Sequence, residues 1–311
     1  AQTSENARLY LEENCQNVET YKVENIAGGA DCERVMREYI NDGCEIIVGT
    51  SFDYVDYMLA LAAEYPDVTF INGSGYETAK NMSVYIAKLE QGRYMTGLLA
   101  GKMTKVNKIG YVSSIPFPDP IKQLNGFAVG VAEANPDAEI VTLWANSFND
   151  PTADAVCANT LIDQGCDLIC IDLSSSAVAQ VCESRGVMFI GSSVDMREFA
   201  PTQQLTSNCW TWDPWMAEQV EAVRNGTFVG KWCELDINDG AISLAEFSDK
   251  VPQDVRDLVA DAEKRLREGF EVFAGPLYDN TGKLRVAEGE VLSTEDANAM
   301  QWFLPNVIDN W

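Results

Sequence analysis

Between residues 31 and 44 apolar and charged positions alternate with helical spacing: Val35, Met36, Tyr39 and Ile40 share one face, and Gly43 ends the run. Glu45-Ile46-Ile47-Val48 follows, its apolar residues at consecutive positions, as in a parallel strand buried on both faces. The pattern returns 122 residues later, where Gly43 meets Gly165, Cys44 meets Cys166, and Glu45-Ile46-Ile47 meets Asp167-Leu168-Ile169. Each copy continues into another helix and then a short apolar run, VTFI at 68–71 and MFIG at 188–191. A strand–helix–strand alternation repeated in this way predicts an α/β protein of two doubly wound, Rossmann-like lobes joined by a hinge.

Upstream of the second copy the pattern predicts a strand, IGYV (109–112), a Pro-rich loop, and a helix near 121–134. The counterpart in the first copy is a helix near 4–14 with no strand before it. The first strand of a doubly wound lobe is central, so a strand upstream of Ala1 is expected in the native polypeptide. A helix over about 90–104 carries Gly97 and Gly101 one turn apart, suited to close packing, and leads to a first crossing between lobes at Val106-Asn107-Lys108. Further helices are expected over 214–225 and 252–268. These boundaries give one lobe of 1–107 plus about 234–271, and a second of 108–233 plus about 272–311.

Composition narrows the chemistry. Lys plus Arg number 22 against 48 Asp plus Glu, and the resulting charge of −26 repels nucleic acid and anionic membranes. No run of 18 apolar residues is present to span a bilayer. The 311 residues include no histidine, which excludes Ser-His-Asp and Cys-His nucleophile systems. Nine cysteines, odd in number and without a CxxC pair, read as small core residues and not as a zinc site. Neither metal nor cofactor is expected.

In a two-lobed α/β fold the ligand lies outside the carboxyl ends of the parallel strands, where the lobes face each other. The loops at those ends carry the aromatic candidates Phe52, Tyr54, Trp144, Phe148, Trp210 and Trp212, as stacking faces or walls. They also supply Asn146, Asp150, Asp195 and Asp239 as hydrogen-bond partners, and Ser174 and Ser175 at a helix start. Each has a plainer reading: a Trp as core packing, Asp150 before Pro151 and Asp195 as helix caps. Lys and Arg are nearly absent from these loops, which disfavours phosphate or carboxylate ligands. Aromatic faces with Asp and Asn suit a neutral purine base or nucleoside, and a sugar almost as well. Two other classes stay open: a carboxylate hydrolase using Asp150 and Asp195, and a regulator sharing the binding fold.

The run QGRYMTGLLAGKMTKVNKIGYV (91–112), with GFAVGVAEANPDAEI (126–140), NSFNDP (146–151), LIDQGCD (161–167) and FAGPLYDNTGKLRV (273–286), resembles the basic membrane protein family. These are substrate-binding lipoproteins of ABC importers, similar to the purine nucleoside receptor. The resemblance implies a type I periplasmic-binding-protein fold, purine or nucleoside uptake without catalysis, and a permease and ATPase as partners. It also implies an extracytoplasmic location through an N-terminal lipid anchor that lies outside this chain. Nucleoside-binding relatives carry a ligand-contacting Lys where this sequence has Asn238, and NSFNDP and TWD are closer to the free-base branch. The resemblance therefore favours an adenine-like base over a nucleoside. Riboflavin is a further ligand it allows.

Overall fold

The repeated pattern folds twice. A computed structural model, which describes residues 2–148, 150–173 and 175–309, divides into two compact units. Unit 1 is Ala1–Lys88 with Thr211–Ala241; unit 2 is Leu89–Trp210 with Ile242–Trp311.

The chain opens with α1 (Gln2–Asn14), α2 (Ala30–Asn41), β1 (Ile46–Gly49), α3 (Val55–Glu64), β2 (Thr69–Gly73) and β3 (Met82–Ala87). Next come α4 (Leu89–Met103), β4 (Lys108–Ser113), α5 (Pro118–Ala134), β5 (Glu139–Trp144), α6 (Pro151–Asp163) and β6 (Leu168–Ile171). They are followed by α7 (Ser176–Arg185), β7 (Met188–Ser193), β8 (Gln204–Trp210), α8 (Asp213–Arg224), β9 (Trp232–Leu235) and β10 (Ile242–Leu244). The last elements are α9 (Gln253–Arg267), β11 (Leu277–Tyr278), β12 (Leu284–Val286), α10 (Thr294–Asn298) and β13 (Val307–Asp309).

Unit 1 is a parallel sheet of order β1-β2-β3-β9 with helices on both faces. Met36 of α2 and Met58 and Leu61 of α3 bury against Phe70, Met82 and Val84 on one face. Leu11 of α1 and Trp215, Met216 and Val220 of α8 bury against Ile71 and Tyr85 on the other. Every residue of β2 is buried, as consecutive apolar positions require when both faces are covered.

Unit 2 is a seven-stranded sheet of order β10-β8-β7-β6-β4-β5-β13, parallel except for the antiparallel edge strand β10. Helices α6 and α7 cover one face through Leu161, Val178 and Cys182, which pack on Ile169, Ile171 and Phe189. On the other face Tyr111 of β4 meets Phe127 of α5. Helix α4 is buried from Glu90 through Gly101 and lies along α5. A Cβ on Gly97 would stand 2.1 Å from Phe127 O, and one on Gly130 2.1 Å from Tyr94 O, so the two backbones touch.

That contact moves the expected boundaries. Because α4 packs on α5 over its length, the first division falls at Lys88/Leu89 and not near residue 107. Helix α8, expected in the second lobe, and β9, across which the expected return at residue 234 ran, both lie in unit 1, where Trp215 and Cys233 join the Tyr85 cluster. Helix α9, expected in the first lobe, packs on α4 in unit 2, with Phe270 just beyond it against Tyr94. The helix that a cap at Asp195 implies is absent: 196–199 is a turn in which Phe199 N–H donates to Met196 O at 2.9 Å.

Gly97→Ala and Gly130→Ala should each destabilise the protein by about 3 kcal/mol, since backbone cannot yield to the added methyl. Gly101→Ala meets Ala134 Cβ and Val131 O only at 3.0 Å and should lose less than about 1 kcal/mol. Urea unfolding midpoints of the three variants separate these outcomes.

Candidate functional site

In unit 2 the chain leaves β4 toward β5 on one side and reaches β6 on the other, so β4 and β6 flank the point where strand order reverses. The crevice outside the carboxyl ends of such strands is where open parallel sheets hold ligands. Ser113 ends β4 and Asp172 directly follows β6. Ser113 Oγ donates to Asp172 Oδ2 at 2.5 Å, closing the two strands together.

Beneath them lies Arg93 of α4, 0% exposed. Its Nη1 donates to Ile171 O at 2.7 Å, and its Nη2 to Ser192 Oγ at 2.8 Å. Nε and Nη2 both reach Gln123 Oε1, and Gln123 Nε2 in turn donates to Asp119 Oδ2 at 2.9 Å. The guanidinium thus spends its hydrogen bonds on neutral oxygens while Asp172 and Asp119 answer its charge from nearby. Asp172 Oδ1 is sealed from solvent and has no hydrogen-bond partner among the described residues. Burial pushes this carboxyl up to about 7, against the lowering pull of the Arg93 charge and the Ser113 hydrogen bond.

The loops after β4 and β5 carry two exposed rings. Phe117 (38% exposed) and Phe148 (68%) meet edge to face, with centroids 5.9 Å apart and planes at 72°. Asn146 N–H donates to Ser114 O at 2.8 Å and ties the two loops together, with Asn146 itself left-handed at φ 55°. Residues 114–117, 145–150 and 172–175 include no Lys or Arg.

Unit 1 presents a second aromatic pair on its own carboxyl rim. Phe52 and Tyr76, both about half exposed, have centroids 5.5 Å apart. Tyr76 OH donates to the Asp56 carboxylate. Fully buried Asn72 supports the loop from below by donating Nδ2 to Ser51 O at 3.1 Å. The matching strands β2 and β7 reach left-handed serines, Ser74 at φ 68° and Ser193 at φ 74°, conformations that cost about 1–3 kcal/mol each.

The expected site residues separate by what they touch. Phe148 and Asn146 lie on the unit 2 rim, and Phe52 on the unit 1 rim. Trp144 is 7% exposed, donates Nε1 to Asp309 Oδ1 at 2.8 Å and packs by Phe303, so it belongs to the wall of β5. Tyr54 donates its OH to Ile26 O and packs in the unit 1 core. Trp212 meets Tyr85 edge to face at 4.8 Å, also within unit 1. Trp210 is half-buried where β8 pairs with Ile242. Asp150 caps α6, accepting from Thr152 and Ala153 N–H at 3.0 Å. Ser175 caps α7, accepting from Ala177 N–H. Asp195 accepts from Arg197 N–H and from Gln204 Nε2. Asp239 closes a turn, accepting from Asp236 N–H at 2.9 Å. Ser174 lies outside the described residues.

Arg93, Ser113, Phe117, Asp172, Asn72 and Tyr76 escaped the sequence reading. Phe117 and Ser113 were within reach of it, since both belong to the loop after the strand at 109–112.

The profile of a family described as ABC transporter substrate-binding protein, PnrA-like, matches residues 1–273. A purine-binding protein of Brucella abortus is 36% identical over 293 residues, 94% of this chain and 83% of that protein. A Haloferax volcanii protein whose name proposes an ABC transporter glucose-binding role is 32% identical over 274 residues, 88% of this chain and 70% of that one. Among solved structures, an ABC transporter solute-binding protein from Conexibacter woesei superposes with a TM-score of 0.74 at 23% identity, covering 86% of this chain and 91% of its own. That structure shares the type I periplasmic-binding-protein-like fold.

The raised Asp172 carboxyl makes a stability prediction. The folded state holds this proton up to about pH 7, whereas an unfolded aspartate releases it near 4. Its contribution to stability therefore declines as pH rises from about 4 to 7 and is level above that. Melting temperatures of the protein and of Asp172→Asn at pH 5, 6, 7 and 8 should diverge, to the disadvantage of the aspartate, up to pH 7 and then run parallel.

Proposed function

The chain belongs to the Bmp family of PnrA-like ABC transporter substrate-binding proteins, and on that premise we propose that it captures a purine base, adenine foremost, with a purine nucleoside as the second ligand. The observation that carries this reading is the exposed Phe117–Phe148 pair in the loops after β4 and β5, which hold no cation. A flat, neutral heterocycle stacks on such rings at about 1–3 kcal/mol per base and needs no charged clamp. The Brucella abortus relative, named for purine binding, supports the same ligand class.

The protein hands its ligand unchanged to a membrane permease powered by an ATPase, outside the cytoplasm, and is held at the membrane by an N-terminal lipid on its precursor. No helix among the described residues is long and apolar enough to cross a membrane. A hexose is the second reading, favoured by the Haloferax volcanii relative and by the suitability of aromatic faces with carboxylates for sugars.

Isothermal titration of the purified protein with adenine, guanine, adenosine, glucose and riboflavin tests the assignment. Adenine should bind most tightly and be recovered unaltered after prolonged incubation. Phe117→Ala and Phe148→Ala should each weaken adenine about tenfold, the equivalent of one stacking contact. Tight glucose binding with no purine binding would replace the purine reading by the hexose one.

A further inference from the structure

We propose that Asp172 is the ligand-reading carboxylate of unit 2: its free Oδ1 accepts an N–H of the bound heterocycle, while Ser113 and Arg93 hold the group in place. The proposal rests on the purine reading for the identity of its partner and adds the residue that recognises it. Three observations converge on Asp172. It stands at the carboxyl end of the strand beside the point of strand reversal, where an open parallel sheet directs its ligand. One of its oxygens is fixed by Ser113 Oγ, and the other, withdrawn from water, has no partner among the described residues. A buried acceptor left unmatched is disfavoured by about 1–3 kcal/mol, which a ligand donor recovers.

The surroundings suit an acceptor over a structural ion pair. Arg93 comes up from α4 beneath the strands but makes its hydrogen bonds to Gln123, Ile171 O and Ser192, leaving Asp172 Oδ1 free. The groups that act on the carboxyl are Arg93 from α4, Asp119 from α5, and Ser113 with the Ser114 backbone after β4. Tyr111 and Cys170 face Arg93 from the row below. Burial raises this carboxyl most, the Arg93 cation of α4 and the Ser113 hydrogen bond pull it back, and the Asp119 anion of α5 adds to the rise.

This arrangement links ligand and proton. A carboxylate accepts an N–H, whereas the protonated acid offers a competing donor, so binding drives the proton off. With the free carboxyl titrating at about 7, adenine, itself neutral across this range, should bind about tenfold more weakly at pH 6 than at pH 8. Titrations in two buffers of different ionisation enthalpy should show close to one proton released per adenine at pH 6 and little at pH 8.

Asp172→Asn keeps the shape and the Ser113 contact but lacks the charge. It should bind adenine at least tenfold more weakly at pH 8 and show no change between pH 6 and 8. Wild-type adenine affinity that is independent of pH and proton release overturns the proposal, whatever the variant does. So does an Asp172→Asn protein that melts cooperatively and binds adenine as tightly as the wild type. Failure of the purine reading looks different: the wild type then binds no purine at pH 8. In that case the ligand of the panel that does bind, glucose or riboflavin, is carried through the same comparison, and the same ratios decide the role of Asp172.

Discussion

The close approach of α4 to α5 is the constraint on which unit 2 depends. Only glycine at 97 and 130 lets the two backbones meet, because any Cβ there would stand 2.1 Å from a carbonyl oxygen. Pressed together, the helices form one layer on the sheet, and Arg93 is carried under the ends of β6 and β7 with no exposure to solvent. A buried guanidinium is tolerated only when its donors are satisfied and its charge is answered. The Gln123, Ile171 and Ser192 oxygens do the first, and the neighbouring Asp172 and Asp119 do the second. The chemistry of the rim is therefore set by helix packing well below it.

The architecture was legible because its signal is periodic. A helix, a Gly turn and a consecutive apolar strand recur at a spacing of 122, and both copies fold as α/β units with the expected strands at 46–49 and 168–171. The boundaries were not legible, because allegiance of a helix to one unit is a matter of packing. Nothing in residues 90–104 says that α4 lies on α5 and not on unit 1, except Gly97 and Gly101, which ask for a close partner without naming it.

The rim was half legible. Loops at the carboxyl ends follow from topology, so the rim positions of Phe52, Asn146 and Phe148 were legible. Asp150 and Asp195 carried a second reading there, as helix caps. Asp150, Ser175, Asp195 and Asp239 are occupied by backbone N–H groups within their own loops, the ordinary fate of short polar side chains at helix starts and turns. Asp172, a carboxylate with one oxygen unmatched, directly follows β6 and belongs to no motif of its own. Its surroundings become visible only when Arg93, 79 positions earlier, is brought beneath it.

The same distinction separates binding from turnover. A hydrolase would need two carboxylates free to exchange protons with a substrate. Asp150 and Asp195, the pair that sequence offers for that task, each accept two hydrogen bonds from their own unit. All nine cysteines are unpaired, and burial pushes Cys170 and Cys182 up to about 12, so neither of these two supplies a thiolate near neutral pH. On its carboxyl rim unit 2 carries the unmatched Asp172 Oδ1 and the Phe117 and Phe148 rings, above the packed contact of α4 with α5.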